Sequence, residues 1–102
     1  SAALNRKLSQ AHERLQQGDA AGAQYLCQEV LRSAPRNPDA LCLLGITHLM
    51  AGRARDAITP LQQALAAQPR HGAALENLGL AHLVLGEFTE AERTLRIATG
   101  IP

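Results

Sequence analysis

The chain has 102 residues, of which 46% are hydrophobic and two aromatic, and ten basic side chains stand against nine acidic ones. That length allows one domain with a modest core. The balanced charge supplies no field to draw in nucleic acid or an anionic membrane, and Tyr25 and Phe88 alone make no platform on which bases or sugars stack.

Alanine and leucine supply 36 of the residues and β-branched residues are few, which favours helices over sheet. Taken in chain order, Leu4, Leu8, Ala11 and Leu15 keep the 3-then-4 spacing of one helix face, and Gly18-Asp19 ends that helix. A second helix follows through Ala23 and Leu31 and stops before Pro35. Asp39 beside Pro38 is the expected start of the third, with Leu41, Leu44, Gly45 and His48 on one face. Gly52 breaks it, and Arg53-Ala54 form a tight turn. Ala57, Leu61, Ala64 and Leu65 repeat the helical spacing until Pro69 prevents continuation. Pro60 falls inside this fourth helix, where it removes one backbone hydrogen bond and is expected to bend the axis slightly. Ala74, Leu75, Leu78, Gly79 and His82 mark the fifth helix. Residues 86–91 form the next turn, with Thr89 the expected N-cap of the sixth.

These elements recur with one period. Gly18, Gly52 and Gly86 lie 34 residues apart, and Ala23, Ala57 and Ala91 do the same. Pro35/Pro69, Gly45/Gly79 and His48/His82 share the interval, which divides the chain into units 4–37, 38–71 and 72–102 within a single domain, residues 1–102. The second and third units agree at ten of their 31 shared positions; the first is more divergent. Gly45 and Gly79, with Ala57 and Ala91, read as positions where paired helices approach too closely for a larger side chain.

The spacing Leu-x2-Leu-Gly-x2-His, then Gly, then Ala-x3-Leu-x2-Ala and Pro resembles the tetratricopeptide repeat (TPR). Leu41, Leu44, Gly45, His48, Gly52, Ala57, Leu61, Ala64 and Pro69 carry it in the second unit. Leu75, Leu78, Gly79, His82, Gly86, Phe88, Ala91, Leu95 and Ala98 carry it in the third. Leu41 and Leu75 stand where the family often has Trp, and His48 and His82 where it often has Tyr. The resemblance implies an all-α, right-handed solenoid of three antiparallel helix pairs, whose first (A) helices line a concave groove. It also implies a scaffold that binds a peptide or partner protein there, not an enzyme.

Carried over residue by residue, the groove is expected at Asn5, Leu8, Ser9, His12 and Leu15; at Asp39, Cys42, Leu43, Ile46, Leu49 and Met50; and at Ala73, Glu76, Asn77, Leu80, Leu83 and Val84. We take Leu8, His12, Cys42, Leu43, Ile46, Leu49, Glu76, Asn77, Leu80 and Leu83 as the candidate binding residues. Leu49 and Leu83 also fit an inter-helix core; Leu43 and Ile46 read better as groove. An amphipathic or extended apolar peptide suits such a surface, with Glu76 and Asn77 fixing its polar edge. Arrays of this family that grip a C-terminal carboxylate use Lys, Arg and Asn at places held here by Leu8, His12, Leu43, Ala73 and Asn77, and only Asn77 matches.

No phosphate loop or nucleophile motif is present, and no cofactor is expected. His48 and His82, one repeat apart, are separated by about 10 Å, too far to share a metal ion. The Glu87/Glu90 pair beside Arg93 reads as a solvated charge cluster at a helix start. Cys27 and Cys42 read as small apolar residues in a reducing compartment. Without an apolar leader or a 20-residue apolar run, a cytoplasmic protein with no membrane insertion is expected. Nine arginines to one lysine point to a GC-rich bacterial source. The opening Ser1 and closing Gly100-Ile101-Pro102 fit a piece of a longer protein. Residues 39–53 also look like the arrays that precede bacterial glycosyltransferase or sulfotransferase domains, so a regulatory or substrate-presenting segment of such an enzyme is the alternative. The apolar end formed by Leu95, Ile97, Ala98 and Ile101 raises a third expectation, a homodimer through that uncapped end.

Overall fold

The computed structural model describes residues 1–100 and contains six helices: α1 (Ala2–Gln16), α2 (Ala20–Ser33), α3 (Pro38–Met50), α4 (Ala54–Ala67), α5 (Gly72–Val84) and α6 (Phe88–Thr99). They pack in sequence as antiparallel pairs, α1 on α2, α3 on α4 and α5 on α6. The pairs stack through α2 on α3 and α4 on α5, while α1, α3 and α5 stand side by side. The stack measures 38 × 26 × 19 Å. Ile101, part of the expected apolar end, lies outside the described residues.

The 34-residue period is written first into the turns. Gly18, Gly52 and Gly86 take φ values of 79°, 78° and 76°, the left-handed conformation that costs glycine nothing. Each closes the A helix in the same way. The N–H of Asp19, Arg53 and Glu87 donates to the carbonyl of Arg14, His48 and His82 at 2.8 Å. The helix starts differ from the sequence reading at two places. Asn37, not Asp39, caps α3: its side chain accepts the Ala40 N–H at 3.0 Å, because Pro38 occupies the first helical position and the cap must precede it. Thr89 is likewise not a cap. The helix begins at Phe88, and Glu87 sits at the cap position without a side-chain cap bond. Its side chain is held elsewhere.

Packing confirms the close-approach glycines. A Cβ on Gly45 would lie 2.5 Å from Leu61 Cγ, and one on Gly79 2.6 Å from Leu95 Cδ2. Leu61 is fully buried in a core of Leu41, Cys42, Ala57, Ala64, Ala74, Leu78 and Ala81, which joins α3, α4 and α5. A second core joins α1, α2 and α3 through Ala11, Leu15, Ala23, Cys27 and Leu43. Thr47 is buried too; its hydroxyl donates to the Leu43 carbonyl at 2.8 Å. Pro60 is accommodated inside a continuous α4, its ring buried.

Both thiols are free, and burial pushes each to a pKa of about 11, with Asp39 adding to the effect at Cys42. Neutral pH therefore leaves them protonated and shielded. Native chain is expected to react with a maleimide only as fast as it opens, and at least a hundredfold faster in 6 M guanidinium. Comparable rates in the two states would contradict this burial.

Polar contacts tie one repeat to the next. Glu87 accepts from Arg55 at 3.0 Å and from His82 Nδ1 at 2.8 Å, a cluster between α4, α5 and the last turn. Only Glu90 pairs with Arg93, at 3.5 Å, so the expected solvated cluster is divided. The hydrogen bond from His82, then that from Arg55, holds the Glu87 carboxyl below its ordinary 4.5. A carboxyl with a lowered folded value stabilises the fold above its unfolded value. The contribution is lost as pH falls through the lowered one. Glu87→Gln should therefore flatten the acid limb of the stability profile below about pH 4.5 and leave its neutral shape alone; circular-dichroism melts from pH 2 to 7 read this. An unaltered acid limb would show that the cluster is not coupled to folding.

Candidate functional site

The A helices α1, α3 and α5 present one continuous face. Its entrance is a cleft of about 490 Å³ between α1 and the start of α3, lined by Asn5, Leu8, Ser9, His12, Glu13 and Asp39. Further along, a smaller pocket of about 140 Å³ is enclosed by His12, Leu15, Gln16, Leu43, Ile46 and Met50, and nearly all of its surface is apolar. On α5 the face continues as Glu76, Leu80 and Val84, which stand on successive turns of the helix. Asp39 is fixed from the cap of α5. His71 Nδ1 accepts the Ala74 N–H as the cap of α5, so its Nε2 carries the proton and donates to Asp39 Oδ1 at 2.8 Å.

The ten candidate residues fall into distinct settings. Leu8 is half-buried and His12 exposed, and both border the entrance cleft; His12 Nε2 lies 3.3 Å from the Gln16 amide nitrogen. Ile46 is half-buried and touches both cores. Leu43 is 9% exposed, its body in the α1–α2–α3 core and one edge on the small pocket. Cys42 is buried in the α3–α4–α5 core, and Leu49 packs beside it. Asn77 is half-buried, its amide donating to the Ala73 carbonyl at 2.8 Å, while Glu76 is exposed. Leu80 is 47% exposed. Leu83 turns instead toward α6, where it lines a separate cleft with Phe88 and Leu95.

Gln16 was not among the residues read as groove from the sequence, although it helps enclose the small pocket. Its place one position beyond Leu15 on the same helix was the available signal. Met50 and Val84, 59% and 65% exposed, are the largest free aliphatic surfaces on this face. Neither clefts nor α5 face carry Lys or Arg, so the fixed charges there are Glu13, Asp39 and Glu76. Away from this face, burial and then the charge of Arg53 push His48 below its ordinary value, and its Nδ1 accepts from Arg53 Nε at 3.3 Å. Among the described residues no group of three or more His, Cys, Asp or Glu side chains is placed to hold a metal ion. No helix there is long and apolar enough to cross a membrane. The arrangement offers shape, aliphatic contact and negative charge.

Residues 42–101 match a family model described as tetratricopeptide repeat, and residues 14–59 match a second model with the same description. No curated protein sequence matches the chain. Among solved structures, the second TPR domain of Spaghetti bound to an HSP90 peptide, SRMEEVD, superposes with a TM-score of 0.90 at 14% identity, covering 97% of this chain and 92% of that one. The TPR domain of Sgt2 from Aspergillus fumigatus gives 0.94 at 19% identity, over 99% and 67%. An O-GlcNAc transferase mutant from Thermobaculum terrenum gives 0.92 at 33% identity, covering 98% of this chain but 19% of that one.

Proposed function

The chain belongs to the tetratricopeptide repeat family, and we propose that its concave face captures a peptide segment of a partner protein. The observation that carries this reading is the row of exposed aliphatic side chains, Met50, Leu80 and Val84, beside the apolar pocket around Ile46. Exposed aliphatic surface in a soluble scaffold is costly unless a ligand covers it. Of the candidates, Leu8, His12, Ile46, Glu76 and Leu80 form the accessible surface. Leu43, Cys42 and Leu49 support it from beneath, and Asn77 stiffens the start of α5.

The negative rim sets the ligand's character. Spaghetti's TPR domain holds the acidic peptide SRMEEVD; here the groove lining has no Lys or Arg to receive acidic residues. An aliphatic segment with Lys or Arg toward Asp39 and Glu76 fits instead, either as an amphipathic helix or extended. Selection of phage-displayed peptides on the immobilised chain should return such sequences. Met50→Ser with Leu80→Ser, which removes aliphatic surface without adding charge, should then weaken a selected peptide at least tenfold without changing the melting temperature by more than a few degrees. Undiminished binding by that variant, with the fold intact, would refute the reading.

A second reading has one specific support. The 33% identity to part of the Thermobaculum terrenum O-GlcNAc transferase fits an array that presents substrate to a catalytic domain of a larger protein. The peptide groove would serve that arrangement equally.

A further inference from the structure

Each repeat pairs a side chain near the end of its A helix with the residue at the cap position of its B helix. The pairs are Arg14–Asp19, His48–Arg53 and His82–Glu87, at 2.9, 3.3 and 2.8 Å. The cap position thus holds an acid, a base and an acid, and the two equivalent histidines take opposite hydrogen-bonding roles. A guanidinium only donates, so His48 Nδ1 presents its lone pair to Arg53 Nε. A carboxylate only accepts, so His82 Nδ1 carries a hydrogen for Glu87 Oε1. The first bond requires a ring with a bare Nδ1. The second survives protonation of its ring.

Both histidine pairs also reach across a joint between repeats. Arg53 donates a further hydrogen bond to Gln24 Oε1 on α2, at 3.2 Å, and lies 3.9 Å from Asp56 on α4. Glu87 takes its second bond from Arg55 on α4, at 3.0 Å. The charges that act on His48 are Arg53, from the turn, and Asp56, from α4; α2 contributes the neutral Gln24, through Arg53. His82 faces Glu87, whose other carboxylate oxygen holds Arg55.

We propose that His48 is a proton-operated latch on the joint between the first and second repeats. A proton on its Nδ1 replaces the acceptor with a donor aimed at the Arg53 guanidinium, and so releases Arg53 from the place in which it reaches Gln24. The joint between the second and third repeats does not respond in this way, because a proton on His82 leaves its bond to Glu87 intact. Mild acid therefore loosens the first repeat from the second, and the apolar pocket between α1 and α3 spans that joint. Burial, then the charge of Arg53, holds His48 below its ordinary 6.5, against the opposing pull of Asp56. A histidine with a lowered folded value stabilises the fold fully above its unfolded value, and the contribution is lost as pH falls through the lowered one. The latch thus begins to release below about pH 6.5, ahead of the acid limb that belongs to Glu87.

The test is a double-mutant cycle in the 102-residue chain, Gln24→Ala with Arg53→Met, read by urea unfolding at pH 7.5 and at pH 5. The cycle isolates the bond between these two side chains from other titrations, that of the capping His71 among them. The two changes should be coupled by about threefold in the unfolding equilibrium constant at pH 7.5, and be additive at pH 5. In a His48→Asn background an amide oxygen that does not titrate stands near the place of Nδ1, and the coupling should persist at pH 5. Long-range nitrogen-15 spectra read the tautomers independently: at pH 8 the ring hydrogen should sit on Nε2 of His48 and on Nδ1 of His82. Coupling that does not fall between pH 7.5 and pH 5, its absence at pH 5 in the His48→Asn background, or a hydrogen on Nδ1 of His48 at pH 8 would each overturn the proposal.

Discussion

Replacing Gly45 with Val is expected to destabilise the chain by about 2–3 kcal/mol, the range that overpacking a tight core costs. The new Cβ would arrive 2.5 Å from Leu61 Cγ, a branch point and not a mobile chain end, and Leu61 is fully buried with no free direction in which to turn. The equivalent Gly79→Val should cost less, about 1–2 kcal/mol by the same rule. Its neighbour Leu95 is only half-buried, on the α5–α6 cleft, and has space to rotate. Equilibrium urea unfolding of the two variants decides the matter. A larger loss for Gly79 than for Gly45 would contradict the close-approach account of the repeat.

Leu61→Ala is expected to cost about 3–4 kcal/mol, within the range for truncating a fully buried leucine, because it opens a cavity where α3, α4 and α5 meet. For a chain of this length, each kcal/mol lowers the melting temperature by roughly 4–8 °C. The two sites touch, so their effects should not add. Gly45→Ala in the Leu61→Ala background places its methyl in the vacated space. The double variant should therefore be more stable than the sum of the single losses by at least about 1 kcal/mol, the coupling typical of residues in contact. Additivity within error would show that helix spacing at Gly45 is not set by Leu61.

Both expectations rest on features legible in the sequence, for a physical reason. A helical repeat folds through local contacts. A glycine that must turn left-handed at Gly18, Gly52 and Gly86, or that must admit a neighbouring helix at Gly45 and Gly79, recurs at the period of the structure itself. Cap identity was less legible. Asn37, Pro38 and Asp39 include two good caps, and only the rule that proline takes the first helical position separates them. Glu87 was read with Glu90 and Arg93 as a solvated cluster, since its partner Arg55 lies 32 residues away and its setting depends on how two repeats meet.

The exposed side of the A helices was legible as a face and not residue by residue. α3 is apolar on nearly every side, so periodicity gives no direction in which its residues point. Tertiary neighbours decide that Cys42 is sealed beneath α5, that Leu43 reaches back to α1 and α2, and that Met50 is left in solvent. On α5 the same ambiguity separates Leu80, exposed to solvent, from Leu83, three residues on and lining the α5–α6 cleft. A family spacing names positions. It does not tell which of them a given set of side chains leaves open.

On the proposed reading the A-helix face, and not the outer face of the B helices, receives the partner peptide. Titrating a selected aliphatic, basic peptide into isotopically labelled chain and following amide and methyl shifts by NMR tests this most directly. Shifts are expected to concentrate at His12, Ile46, Met50, Glu76 and Leu80, with little change at Tyr25, Gln62 and Arg93. Shifts centred on those three convex residues, with the groove undisturbed, would contradict it.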